Sequence, residues 1–302
     1  MKAGVDLTSP LARLLAWAAM PLGLELEPLS PDAEAPGFRW LFRFSPDAFE
    51  GDPRAHPGPR TIRAYADLLI QHRLFRALAL PTPPFGRVLN PAELEALALA
   101  HGLPAWLRPR KGGRAVWVED EAAEPPPGLW LYERAYPYEA ELLFLAVWRE
   151  GLFLWPPAAR RGAVWEAPYP LPEGLLARVR RGLEALFRAL GHVGGLEVRA
   201  GLYRGEVYFL DFAPFPTERA LFAPAFAEAH LRAVMGYAVP RPGLRGRVAV
   251  LPVADLEAAL RHPFARPFVL ERPYVRVAAA DEAGLRQRLA VLEACCGDRT
   301  LP

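Results

Sequence analysis

The stretch YERAYPYEAELLF, residues 132–144, decides how this chain is read. Two runs of strand-forming residues flank Tyr136-Pro137-Tyr138, where proline's fixed φ marks a turn. Read outward, the pattern predicts strands over 129–133 and 140–148. Glu133 closes the first and Glu141 opens the second. Arg108 closes an earlier predicted strand, 105–108, and 115–119 supplies another. Further on, strands over 196–203 and 206–212 are joined by Arg204-Gly205 and carry Glu197 and Asp211. Charges within apolar strands are costly unless partnered. Acidic residues on paired strands could hold Mg²⁺ through oxygen ligands, and cations nearby could clamp phosphates. The plainer reading is half-exposed strands whose charges face water.

Around this centre the helical signals are clear. Residues 173–190 put Leu175, Leu176, Val179, Leu183, Leu186, Phe187 and Leu190 on one face. A helix over 223–235 stops at Gly236. Near the N-terminus Leu11, Leu14, Leu15 and Ala18 recur at helical spacing up to Gly23, followed by a strand beginning at Leu24, with little room for a strand ahead of the helix. A Pro/Gly/Asp-rich stretch, 45–59, reads as a linker, and one helix is expected over 62–78. The tail mixes strands (247–252, 275–279) with helices (255–261, 282–295).

Composition sets the bounds. The 302 residues suit two or three small domains, and 52% hydrophobic with 23% charged content builds a core. A net charge of +2 implies no nucleic-acid partner. Basic charge is almost all arginine, with lysine at Lys2 and Lys111 alone. Adjacent Cys295 and Cys296 suit neither a disulfide nor a metal site, and with no signal-peptide pattern a cytoplasmic location is expected. No apolar run reaches the roughly 18–20 residues of a membrane span.

Several segments, in order, resemble the ATPase subunit of phosphoribosylaminoimidazole carboxylase, or 5-(carboxyamino)imidazole ribonucleotide synthase, of the ATP-grasp superfamily. They are LARLLAWAAMPLGLELEPLSPDAEAP from Leu11, QHRLFRALALPTPPF from Gln71, YERAYPYEAELLF from Tyr132, FLDFAPFP from Phe209 and HLRAVMG from His230. The resemblance implies an α+β ATP-grasp fold. Residues 1–58 would be a truncated N-terminal α/β (pre-ATP-grasp) domain, 59–240 the ATP-grasp domain and 241–302 a small C-terminal, β-rich α+β domain. It implies ATP as the nucleotide partner, Mg²⁺ as cofactor and a homodimer as the assembly. Arg76 and Arg108 would reach the phosphates, where the family has lysine. Lys111 would lie in the phosphate loop, Glu133 to Tyr136 would form the adenine hinge, and Glu141 would take the ribose. Glu197 and Asp211 would be the metal ligands.

Departures from the family pattern cluster in its chemistry. The D-G-K-G loop is shortened to Lys111-Gly112-Gly113-Arg114, so fewer N–H groups would cover phosphates. An ungapped alignment from Asp211 puts Arg199 where a metal-binding glutamate belongs, and Leu210 replaces the usual asparagine. The family's H-N-S-G-H reads TERAL from Thr217, its G-G-G-Q-L nest reads LTSPL from Leu7, and its R-K-M-G-H becomes PYVRVA from Pro273. Three readings stay open: a divergent member keeping at most a nucleotide, a working ligase that carboxylates aminoimidazole ribonucleotide with bicarbonate, and a non-catalytic interaction protein. Elsewhere, His230 with Arg232 reads as a packed or solvated pair, and Arg178, Arg180 and Arg181 as a solvated helix face.

Overall fold

The computed structural model describes residues 1–302 apart from 7, 8, 10, 34, 112, 121–124, 245, 270–272 and 297–302. Gly112 of the shortened loop, and Leu7, Thr8 and Pro10 of LTSPL, therefore lie outside the described residues, as do the side chains of Cys295 and Cys296.

Strand β1 (Lys2–Asp6) precedes helix α1 (Leu11–Ala19), followed by β2 (Glu25–Leu29), β3 (Leu41–Phe42) and β4 (Ala55–His56). They form a parallel sheet in the order β2-β1-β3-β4. The expectation of little room for a first strand is corrected here, because five residues suffice to bury Ala3 and Val5 beneath α1. Gly23, at φ 61°, ends the helical stretch as expected. The 45–59 linker is also corrected: Ala55–His56 pairs with β3, and Ala48 and Phe49 are buried. Buried Arg43 holds that loop in place, donating to the carbonyls of Pro57 (2.8 Å) and Ala48 (3.3 Å).

In place of one helix over 62–78 there are two, α2 (Pro59–Tyr65) and α3 (Leu68–Ala77). Asp67 breaks the run because its carboxylate accepts from the Leu69 N–H at 2.9 Å, the N-cap role that aspartate fills well. Next come β5 (Phe85–Val88), α4 (Pro91–His101), β6 (Ala105–Pro109), β7 (Val116–Val118) and β8 (Trp130–Arg134). The four strands make an antiparallel sheet, β5-β8-β6-β7. Helix α4 carried no periodic signal: Leu94 is fully buried while Leu99 is exposed.

The rest builds a nine-stranded antiparallel sheet. Its elements are β9 (Ala140–Trp148), β10 (Leu152–Leu154), β11 (Ala158–Arg161), β12 (Val164–Ala167), α5 (Glu173–Leu190), β13 (Gly194–Tyr203), β14 (Glu206–Ala213), α6 (Ala225–Met235), β15 (Arg247–Pro252), α7 (Leu256–Leu260), β16 (Ala265–Val269), β17 (Pro273–Ala279) and α8 (Glu282–Cys296). The order is β14-β13-β9-β11-β12-β15-β17-β16, with β10 on β9. Arg204 (φ 51°) and Gly205 (φ 74°) make the expected two-residue turn between β13 and β14.

Strand β9 is buried on both faces, which is why it reads as a near-continuous apolar run. Leu142, Phe144 and Ala146 face α5, packing with Val179, Leu183 and Leu186. Leu143, Leu145 and Val147 face a second core with Leu14 and Leu15 of α1 and Phe226 of α6. That second face turns polar at one end, at Glu141, the second residue of the strand, and there the smaller sheet approaches. Among the described residues no helix is long and apolar enough to cross a membrane.

Candidate functional site

Register gathers the charges. Arg199 on β13 pairs with Asp211 on β14 on one side and with Leu143 on β9 on the other, while Gly201 pairs with Glu141. Side chains two residues apart share a face, so Glu141, Arg199 and Asp211 emerge together. A register shift between Arg199 and Ala200 leaves Leu210 as an extra residue beside Asp211. From the smaller sheet, Arg108 on β6 and Glu133 on β8 complete the group.

The contacts form a continuous ion-pair chain. Arg108 donates to Glu133 (3.1 Å) and to Asp211 (2.8 Å), joining the two sheets. Arg199 Nε donates to both Asp211 oxygens at 2.9 Å, its Nη2 donates to Asp211 Oδ2, and its Nη1 reaches Glu141 Oε1 at 2.9 Å. Glu141 Oε2 accepts from Arg160 at 3.3 Å. Arg219 stands 3.8 Å from Asp211, and His72 Nε2 lies 3.0 Å from Glu133. A second tie between the sheets' loops runs from Arg110 to Asp67, the cap of α3. Fork-shaped guanidinium groups suit such multiple contacts where a lysine would not.

Protonation follows from these neighbours. Burial would raise the Asp211 carboxyl, but Arg199, with Arg108 behind it, holds it well below the usual range. Glu133 is likewise buried yet lowered, by Arg108 and then His72. Glu197 behaves oppositely: burial pushes it up to about 7, partly offset by hydrogen bonds from Thr217.

Glu197 and Asp211 are held by different partners. Both Glu197 oxygens accept from Thr217, one from its backbone N–H and one from its hydroxyl at 2.6 Å. Asp211 is covered by guanidinium groups. Mg²⁺ demands near-ideal octahedral oxygen coordination, and this donor set does not fit it: the oxygens are taken and Arg199 lies among them. Among the described residues no group of three or more His, Cys, Asp or Glu is gathered for a metal.

Three cavities share these residues. The largest, about 560 Å³, is lined by Arg108, Lys111, Asp211, Thr217 and Arg219, with Ser45 and Tyr65 opposite. A second, about 360 Å³, runs from Arg108 and Glu133 to Glu141 and Arg199, so the cleft between Arg108 and Glu141 is open. Arg199, Arg160 and Arg219 also line a third of about 260 Å³. Exposed Lys111 thus reaches the rim of the largest. Tyr136 stacks on Tyr203, ring centroids 4.8 Å apart. Arg76 is exposed and turned to the Phe85 ring at 4.1 Å. Tyr138 lies across β13 at Gly201, where an added Cβ would sit 2.2 Å from the Tyr138 ring.

Sequence reading missed Arg160, Arg219 and His72. Arg160 pairs Glu141 across adjacent strands, a relation visible only once the register of β11 on β9 is known. His230, read as packed or solvated, is buried and accepts from the Gly195 N–H at 2.8 Å, while Arg232 pairs with Glu228.

No family model matches the chain. N5-carboxyaminoimidazole ribonucleotide synthase of Pseudomonas aeruginosa is 27% identical over a 369-residue alignment, covering 97% of this chain and 99% of that protein. Formate-dependent phosphoribosylglycinamide formyltransferase of Synechocystis is 26% identical over 216 residues, 62% of this chain. That alignment spans 55% of the formyltransferase. Among solved structures, N5-carboxyaminoimidazole ribonucleotide synthetase of Thermus thermophilus superposes with a TM-score of 0.87 at 23% identity, covering 99% of each chain. The Aspergillus clavatus synthase, in complex with ADP and 5-aminoimidazole ribonucleotide, gives 0.83 at 16% identity, covering 97% of this chain and 98% of that one. The fold is therefore the ATP-grasp fold of these synthetases, as the sequence resemblance implied.

Proposed function

We propose that this chain, which has the ATP-grasp fold of N5-carboxyaminoimidazole ribonucleotide synthetases, binds a purine nucleotide in the cleft between its antiparallel sheets without performing the ligase reaction. In this reading 1–58 is a reduced N-terminal domain, 59–240 holds the nucleotide in the cytoplasm, and 241–302 closes the large sheet. Adenine lies against the 133–136 hinge beside Tyr136, the ribose near Glu141, and the phosphates toward Arg108, with Lys111 at their edge and Arg76 the outermost cation.

The observation that carries the reading is the ion-pair chain. An open cleft with forked cations suits nucleotide phosphates. Ligation through an acyl phosphate needs carboxylates free to position metal and phosphate, since phosphoryl transfer rests largely on positioning and charge neutralisation. Here Asp211 and Glu197, the two candidate metal ligands, already have both oxygens engaged. Calorimetric titration with ADP and ATP tests the binding. Glu141→Ala is expected to weaken affinity by roughly 1–3 kcal/mol, the scale of a hydrogen bond to a charged group. Unchanged affinity would reject the ribose placement, and no binding by the wild type would favour an interaction protein.

A further inference from the structure

Resting on that nucleotide reading, we propose that the cleft binds the polyphosphate of its nucleotide through guanidinium groups in place of a divalent cation, so that binding does not require Mg²⁺.

The argument starts at Asp211. A metal could reach this carboxylate only by displacing Arg199, which donates to both oxygens, and Arg108, which donates at 2.8 Å. Both arginine side chains are under a fifth exposed, so each would be left charged and buried with one of its two carboxylate partners lost, Arg108 keeping Glu133 and Arg199 keeping Glu141. Glu197, the neighbouring acid on the same face, has both carboxylate oxygens committed to Thr217. A second independent route for a metal is therefore closed as well.

An anion meets the opposite situation. The walls of the cavities carry Arg108, Arg110, Lys111, Arg134, Arg160, Arg199 and Arg219 against Asp47, Glu133, Glu141, Asp211 and Glu218. Lys111 is exposed, the Arg160 side chain is 45% exposed, and Arg219 keeps a loose 3.8 Å contact. These outer cations can turn to a phosphate without breaking the inner chain, and guanidinium forks match phosphate oxygens in pairs. Among the described residues Tyr138 Oη is buried with no hydrogen-bond partner, and Tyr138 lines the 360 Å³ cavity. Trp106, lining the same cavity, is 38% exposed and meets Trp117 edge-on at 4.6 Å, offering apolar surface to a base. A free nucleoside triphosphate brings more negative charge to these cations than its Mg²⁺ complex does.

The experiment titrates the full chain with ATP, following tryptophan fluorescence and heat, in excess Mg²⁺ and again in EDTA at matched ionic strength. Expected is an affinity in EDTA within about threefold of that in Mg²⁺, or tighter. A loss of about tenfold or more in EDTA overturns the proposal while leaving the nucleotide reading intact. Absence of binding in both conditions overturns the nucleotide reading and this proposal with it. Arg199→Glu sharpens the test by placing a third carboxylate beside Asp211 and Glu141: its ATP binding should become Mg²⁺-dependent, and Mg²⁺-independent binding equal to wild type would contradict the role given to Arg199. Arg219→Gln, at a more exposed position, should weaken ATP about tenfold in both conditions with no rescue by Mg²⁺. Unchanged affinity in that variant would also count against the proposal.

Discussion

The two faces of the nine-stranded sheet are built from the same strands and do opposite things. Under α5, Leu142, Phe144, Val198, Ala200 and Phe212 are packed with almost no exposure. On the cleft face, Glu141, Arg199 and Asp211 come from the same three strands and are held by charge. The apolar face can be satisfied by any residues of suitable volume. The charged face is satisfied only pairwise, so one substitution strands its partners. In this chain an arginine stands opposite Asp211, and the carboxylates that could have been ligands are bound within the protein.

Removing one member from each face sharpens that contrast. Phe144→Ala should destabilise by about 3–5 kcal/mol through cavity formation, with nucleotide affinity unchanged in whatever fraction stays folded. Arg199→Ala should cost roughly 3 kcal/mol, at the low end for a buried pair because part of the side chain meets solvent. Unlike Phe144→Ala, it should also alter nucleotide binding. Urea denaturation with parallel ATP titration reads both. Equal binding by the two variants would erase the distinction between the faces.

The next effect is smaller and depends on pH. Glu197, held at about 7 against an ordinary 4.5, keeps its proton in the folded protein where the unfolded chain has lost it. Its contribution is therefore complete below about pH 4.5 and lost as pH rises through 7. Buried His56, His192 and His230 pull the other way over an overlapping range, since burial lowers all three. The measurement is thus a difference. Glu197→Gln, which can still accept from the Thr217 N–H, should gain on the wild type by about 1.4 kcal/mol per pH unit at most between pH 5 and 7. Parallel stability curves would mean that Glu197 ionises normally.

The same contrast explains what could be read in advance. The back face was legible residue by residue: Glu173–Leu190 and Ala140–Trp148 have the expected bounds because apolar spacing records burial directly. Helix α4 was not, because Leu94 and Leu99 mark no single buried stripe. On the cleft face, resemblance singled out Arg108, Glu133, Glu141, Arg199 and Asp211, and the fold brings them together. Their partners were not legible. Whether Asp211 meets a metal or a guanidinium depends on strand register and on long side chains reaching across strands, as Arg160 does to Glu141. Nor did spacing distinguish Glu197, which shares a face with Arg199 but turns to Thr217.

The central claim is that a nucleotide cleft persists while the ligase chemistry does not. Phosphate release by the full chain, with ATP, Mg²⁺, bicarbonate and aminoimidazole ribonucleotide together, tests it most directly. The account predicts no stimulation of release by the two substrates over ATP alone. Stimulated turnover on the order of 1 s⁻¹ or more, within the usual enzyme range, would contradict it and make Glu197 the leading candidate for a metal ligand.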